Sequence, residues 1–363
     1  MNYLTERLKK VCESLEDCDA LYITDDVTRR YIFNFASTAG IGFISREKCV
    51  LLLDFRYYEK AVRQQKQGEM AKEIEIIEQT TPVADFLKTQ LSACRIRRLF
   101  FEDRHMTHAD FCSLRKCLGD VCELAPMGDR IERFRMVKDE YELARIIQAQ
   151  RITDAAFSYI LNILHRGMTE REVALELEFF MRKNGADGLA FDTICVSGKK
   201  SSMPHGVPED IPIEDGFLTM DFGARFDGYC SDMTRTVCVG EPSDVMRHVY
   251  DTVFEAQKAA LNTARGGLLG KTVDKAARDV IDGAGYKGCF GHATGHSLGL
   301  EIHESPNFSP KEERVVPCGA VVSVEPGIYI PEKCGVRIED IVFLTENGCK
   351  NLTNSTKEFI IIK

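Results

Sequence analysis

Three of the chain's eight histidines lie close together, in His292-Ala293-Thr294-Gly295-His296-Ser297-Leu298-Gly299-Leu300-Glu301-Ile302-His303. Spacings of four and seven residues, with Gly291 and Gly295 allowing close backbone approach, let imidazoles converge on one centre. A fourth, His205, sits in Pro204-His205-Gly206. The acids form a second pattern. Leu218-Thr219-Met220-Asp221 is an apolar run ending in a carboxylate. It turns through Phe226-Asp227-Gly228-Tyr229, a hairpin signal, and returns through Asp232-Met233-Thr234-Arg235-Thr236. Later, Val321-Val322-Ser323-Val324-Glu325 ends the same way, turns through Pro331–Gly335 and returns through Val336-Arg337-Ile338-Glu339-Asp340-Ile341.

Each hairpin thus carries one acid on each of two adjacent apolar strands. An unpaired buried carboxylate costs several kcal/mol or shifts its pKa. The plain reading is salt bridging to Arg235 and Arg337, or a solvent-facing side. Two hairpins of one design weaken that reading. Four clustered carboxylates repel, and a shared dication is the economical remedy. The remaining histidines lack such spacing. His165 and His248, read on helices, and His105 and His108, in the first third, have structural readings.

The first third alternates short strands with helices, which indicates an α/β unit. Strands are expected at Ala20–Thr24, Gly42–Ser45, Cys49–Leu53, Ile74–Glu78 and Arg98–Glu102, with helices at Arg56–Gln67, Val83–Ser92 and Thr107–Leu118. Gly40-Ile41-Gly42 lacks a third glycine and a following helix, so no dinucleotide fingerprint is present. A boundary is expected near Arg130–Arg135, dividing the chain into 1–132 and 133–363. Beyond it, Asp139 with Glu142 and Thr169 with Glu172 form capping boxes for two helices. These are expected to end at Gly167 and near Asn184. Two more helices are expected at Asp244–Arg265 and Val273–Asp282. Strands are expected at Ile194–Ser197, Phe217–Phe222, Tyr229–Val239, Leu298–His303, Ala320–Glu325, Gly335–Leu344 and Glu358–Ile362. This irregular order indicates α+β.

The chain has 363 residues, 44% hydrophobic and 28% charged, which suits a globular protein of about two domains. Its net charge of −9 offers no electrostatic footprint for nucleic acid or anionic membrane. Fourteen cysteines are scattered without CxxC spacing, so they read as reduced thiols in a cytoplasmic protein. The start, MNYLTERLKK, reaches charge too early for a signal peptide.

The stretches LTMDFG with SDMTRT, GHATGHSLGLEIHE, VSVEPGIY and GVRIED resemble, in order and spacing, the pita-bread metallopeptidases. The resemblance is strong over about 135–363. The first part is similar, more weakly, to the creatinase-type N-terminal domain of aminopeptidase P and prolidase, including Arg30-Tyr31-Ile32-Phe33-Asn34-Phe35. Methionine aminopeptidases generally lack that domain. The implied fold is α+β: a C-terminal pita-bread (creatinase/aminopeptidase) domain preceded by a smaller α/β creatinase-like domain.

The resemblance implies two divalent ions per chain, Mn²⁺ first and Co²⁺ or Zn²⁺ as alternatives, which oxygen-rich ligation suits. Asp221 would bind one metal, Asp232 and Glu339 would bridge both, and His296 and Glu325 would complete the other shell. A bridging hydroxide would attack a peptide carbonyl. Glu325 would carry the proton to the leaving nitrogen, and His205 and His303 would donate to the carbonyl and oxyanion. His292, Tyr329 and Arg337 would wall the proline pocket. For Arg337 a role neutralising Glu339 stands beside this, and for Tyr329 ordinary sheet packing. Creatinases share the fold without this ligand set, so their chemistry is not expected.

The implied activity is Xaa-Pro peptidase, acting on peptides with proline second and most often as a homodimer. Asn307 stands where relatives often carry arginine, and the loop Ser305–Val316 offers Lys311 and Arg314 for a carboxylate clamp. This favours the aminopeptidase over the dipeptidase, prolidase. A non-catalytic pita-bread binding protein is a further reading, opposed by the intact ligand set. So is a related metallohydrolase acting on another bond, which a peptide panel would separate.

Overall fold

The computed structural model describes residues 2–363, and by contact density the chain divides into two compact units that meet between Arg135 and Met136. The first unit contains α1 (Asn2–Glu13), β1 (Asp19–Ile23), α2 (Asp26–Phe33), β2 (Ile41–Ser45), β3 (Cys49–Leu53), α3 (Phe55–Lys66), β4 (Ile74–Glu78), α4 (Val83–Ala93), β5 (Arg98–Phe101), α5 (His108–Leu118), β6 (Glu123–Pro126) and α6 (Arg130–Arg135). Its six-stranded mixed sheet runs β4-β3-β2-β1-β5-β6. Phe43, Val50, Leu52 and Leu99 bury their side chains under α4 and α5. Local chemistry starts the helices. Asp25, Asp54 and Thr107 each accept a backbone N–H at an N-terminus, which relieves one of the unpaired donors there.

The second unit opens with α7 (Glu140–Ile163) and α8 (Glu170–Lys183), and both expected capping boxes are formed. β7 (Gly188–Leu189), β8 (Ile194–Ser197), β9 (Gly216–Phe222), β10 (Ala224–Phe226), β11 (Tyr229–Cys230) and β12 (Met233–Val239) follow. A second helix pair, α9 (Asp244–Thr263) and α10 (Gly270–Gly283), leads to β13 (Gly295–Ser297), β14 (Glu304–Phe308), β15 (Val321–Val324), β16 (Gly327–Ile330), β17 (Cys334–Arg337), β18 (Asp340–Thr345), β19 (Gly348–Asn351) and β20 (Ile361–Ile362).

Helices and strands repeat together. α7 ends where Leu164 turns extended (φ −63°, ψ 126°), not at Gly167, and α9 ends the same way at Ala264 (φ −63°, ψ 120°). Both side chains drop into the core, which is why the helices stop there. α7 and α8 pack Ala156, Ile160, Leu177 and Met181 against Leu218, Met220 and Met233 of the first hairpin. α9 and α10 pack Val253, Ala256, Ala277 and Ile281 against Val322, Val324, Val336 and Val342 of the second. Burying each of the valine, leucine, isoleucine and methionine side chains contributes about 1.5–3 kcal/mol.

Several expected strands are broken. Tyr229–Val239 is interrupted at Ser231-Asp232, and Gly335–Leu344 at Ile338-Glu339. Ser231 leaves the ladder because its hydroxyl bonds Thr153 Oγ1 (2.8 Å) and accepts from the Ala224 N–H (3.0 Å). Leu298–His303 is not a strand; the chain loops there, and Gly299 N–H bonds Glu301 O instead. His165 lies beyond α7, accepting from Gly167 N–H. All fourteen cysteines are free. Among the described residues no helix is long and apolar enough to cross a membrane.

Candidate metal centre and substrate pocket

The acids sit where the strands end or break. Asp221 lies near the end of β9, opposite Thr234 of β12. Asp232 occupies the gap before β12, Glu325 follows β15, and Glu339 fills the gap between β17 and β18. A residue at such a break is freed from strict alternation and can turn toward a common centre. Glu339 is held there by its own N–H, which bonds Thr234 O (3.1 Å), and by Thr234 Oγ1, which donates to Oε2 (2.7 Å).

The histidine loop is anchored from behind. Buried Asp274 of α10 accepts from Thr294 N–H (3.1 Å) and Oγ1 (3.0 Å), while Arg278 pairs with the same carboxylate. Gly295 then passes so close to β15 that a Cβ would lie 1.8 Å from Ser323 O. Gly291 has open space around it, so of the two glycines only Gly295 serves the approach. Ser323 Oγ accepts from His296 N–H (3.0 Å) and donates to Glu325 Oε1 (3.1 Å). His296 Nδ1 faces Ser297 O (3.2 Å), which leaves Nε2 as the free lone pair. That Nε2 lies 3.5 Å from Asp232 Oδ2 and 3.4 Å from Glu325 Oε1.

A divalent cation suits this donor set. Ligand atoms of Asp232, His296 and Glu339 lie within 4.8 Å of one another. Asp221 Oδ1, Asp232 Oδ1 and Glu339 Oε1 are buried oxygens with no hydrogen-bond partner. Without a cation the cluster is penalised. Burial, then Asp221 and Glu325, raises Asp232 well above the usual carboxylate range. Burial, then Asp232 and Glu325, does the same to Glu339. Burial pushes Glu325 up to about 8, against the pull of Arg337.

One wall is a hydrogen-bonded relay. Arg337 donates from Nη2 to Asp221 Oδ2 (2.6 Å), from Nε to Thr234 Oγ1 (2.9 Å) and from Nη1 to the Tyr329 hydroxyl (2.7 Å). Tyr329 Oη meets His292 Nε2 at 2.9 Å, and His292 Nδ1 faces Ala293 O at 2.8 Å. Burial, then Arg337, pushes His292 down to about 3, so its ring is neutral. The pocket they border measures about 360 Å³.

Residues 144–346, more than half of the chain, match metallopeptidase family M24, and residues 5–137 match the creatinase/prolidase N-terminal domain. The chain belongs to metallopeptidase family M24. Within it, an Xaa-Pro dipeptidase of Pyrococcus horikoshii is 37% identical over 99% of this chain and 100% of its own. A solved Xaa-Pro dipeptidase of Bacillus anthracis superposes with a TM-score of 0.93 at 40% identity, over 99% of this chain and 100% of that one. An X-Pro aminopeptidase of Thermotoga maritima gives 0.90 at 36% identity, over 97% and 100%. The fold is the pita-bread fold of the prolidase and aminopeptidase P branch, with its creatinase-type N-terminal unit.

In this M24 chain, all five expected ligands, with His205, His292, His303 and Arg337, line one pocket. Tyr329 does not line it; it stands behind the wall, joining Arg337 to His292. The close ion pair of Arg337 is with Asp221, and its charge also pulls Glu339 down, against burial and the neighbouring carboxylates. His303 stacks edge-on against His296, with centroids 4.4 Å apart. Lys311 and Arg314 stay outside the pocket, and Arg314 is paired with Glu312 at 2.6 Å. Asn307 lies on β14 opposite His296. The lining also includes Phe191, Asp192, Ile194 and Ile302, which sequence reasoning missed. Ile194 sits opposite Asp221 in the β8–β9 ladder, a pairing no local pattern announces. Asp274 did leave a trace, as an acid within the apolar stripe of α10.

Proposed function

We propose that this M24 chain is an Xaa-Pro dipeptidase that hydrolyses the bond preceding proline. The observation that carries hydrolysis before proline is one pocket holding five ligand-type residues beside His292 and Arg337. Its volume falls in the range of small-molecule pockets. Asp221, Asp232, His296, Glu325 and Glu339 would hold two divalent ions, Mn²⁺ foremost. When bound, such ions supply Lewis acidity to the scissile carbonyl and to the attacking water.

The chain's own residues do the rest. Glu325 accepts a proton from the water as its oxygen bonds to the carbonyl carbon. It returns that proton to the proline nitrogen as the C–N bond breaks. His205 and His303 donate to the carbonyl oxygen, and each such donor is worth roughly 10²–10³ in rate. His292 and Arg337 shape the side that takes the proline ring, and Tyr329 holds both in place.

The names of the relatives weigh toward the dipeptidase, against the aminopeptidase expected from Asn307. A second reading, Xaa-Pro aminopeptidase, keeps one observation in its favour. Among the described residues the pocket lining offers no lysine, and its arginine is occupied by Asp221 and Tyr329 in place of a dipeptide's carboxylate. Chelated protein reloaded with Mn²⁺ is tested on Ala-Pro against Ala-Pro-Ala. Faster cleavage of the dipeptide supports the dipeptidase, and faster cleavage of the tripeptide turns the assignment. Full activity after chelation, or equal cleavage of Ala-Ala, sinks both.

A further inference from the structure

Behind the pocket lies a buried polar network that the reaction does not touch. Asp340 is fully buried next to Glu339. Its Oδ1 accepts from Arg235 Nη2 (2.8 Å), and its Oδ2 from Asn351 Nδ2 (2.7 Å) and Lys357 Nζ (2.5 Å). The same ammonium donates to Gln257 Oε1 (2.8 Å), and buried Gln257 donates onward to Val324 O (3.4 Å), the residue before Glu325. Arg235, three residues after Asp232, donates from Nη1 to Thr234 O (2.9 Å) and to Glu339 O. It also binds Ser355 O (2.8 Å) and Thr356 O (2.9 Å), so the C-terminal segment is part of the network.

We propose that Lys357 is a positioning residue that sets the backbone beneath Glu325 and Glu339 for metal binding. One ammonium joins α9 to the second hairpin, and Arg235 on the same carboxylate extends the tie to the first. Through Gln257 it reaches the end of β15, and through Asp340 and Arg235 it reaches the break holding Glu339 and the strand following Asp232. The β15–β18 ladder already sets Val324 opposite Asp340, and the ammonium ties that pair to α9, so the backbone just before Glu325 and just after Glu339 is fixed against the helix as well. Outer residues that orient ligands typically account for 10–100-fold in metal affinity. Lys357 lies outside the pocket lining, and its hydrogen bonds go to Gln257 and Asp340.

The inference rests on the metal-site reading, and the test separates the two. Full-length protein is stripped by chelator, and Mn²⁺ binding is measured by equilibrium dialysis alongside the melting temperature of the stripped form. Lys357→Met leaves Asp340 with Arg235 and Asn351, so the fold is expected to persist. The Mn²⁺ dissociation constant should rise about tenfold or more, and Lys357→Arg should recover part of it. Gln257→Leu cuts only the branch to Val324 and should give a smaller rise. Should Lys357→Met fail to fold, Gln257→Leu decides on the same readout. Wild-type affinity in the folded variants, whatever their melting temperature, overturns the positioning role alone. Wild-type protein that binds no Mn²⁺ overturns both readings.

Discussion

Arg337 Nη2 lies 2.6 Å from Asp221 Oδ2, and the pair is buried where the first hairpin meets the second. The guanidinium uses its other nitrogens on Thr234 and Tyr329. Asp221 therefore keeps a single unpaired oxygen, Oδ1, for a cation. Arg337 thus touches a carboxylate of the acidic cluster and lines the pocket at once. Arg337→Met should weaken Mn²⁺ binding as well as lower kcat/KM on Ala-Pro, by at least a hundredfold, because an unpartnered buried carboxylate costs about 3–5 kcal/mol. Arg337→Lys restores charge without the fork and should recover only part. Steady-state kinetics with metal analysis check this. Unchanged metal content in Arg337→Met would confine the residue to substrate binding.

Glu339→Gln and Asp232→Asn should each remove metal and turnover together while far-ultraviolet circular dichroism stays native. Their carboxylates meet His296 in one cluster, and two oxygens there have no other partner. The helix pairs and the first unit do not depend on the site. Normal two-metal occupancy in Glu339→Gln would remove that residue from the ligand set.

Gly295→Ala is a steric probe. The added Cβ would meet Ser323 O at 1.8 Å, and backbone is the atom it meets. β13 must move away from β15, carrying His296 from Glu325. A loss of roughly 1–3 kcal/mol in stability is expected from overpacking, with a fall in Mn²⁺ affinity measured on the same sample. Wild-type affinity in the variant would show that the two strands need not approach so closely.

A pH-dependent contribution is expected outside the site. Arg314 donates to both oxygens of Glu312, at 2.8 and 2.6 Å, and holds that carboxyl down to about 2. A depressed carboxylate stabilises the fold above its unfolded pKa, near 4.5, and loses that contribution as pH falls toward 2. Glu312→Gln should therefore melt lower than wild type at pH 6–7, and the gap should shrink below pH 4.5 in a series of thermal scans. A gap that is constant with pH would mean the ion pair contributes nothing.

The candidate site was legible in the chain itself because much of its signal is local. Asp221 and Glu325 end apolar runs, and His292, His296 and His303 share one segment. Asp139 with Glu142, and Thr169 with Glu172, announce their helices within four residues. Cys49–Leu53 and Ile74–Glu78 form strands as their residue types require. Other features needed the folded chain. Asp232 and Glu339 leave their strands where Ser231 bonds Thr153 and Thr234 bonds Glu339, 78 and 105 residues apart, and no window of sequence contains both members of either pair. Arg337 reaches Asp221 because β17 and β9 come to lie near each other. Tyr329 went behind the wall, Asp192 and Ile194 entered the pocket, and Lys357 reached Gln257 a hundred residues away. Residue types and spacing set which groups can ionise, ligate or cap. Which of them meet is decided by packing between strands and helices, where the relevant separations are in space and not along the chain.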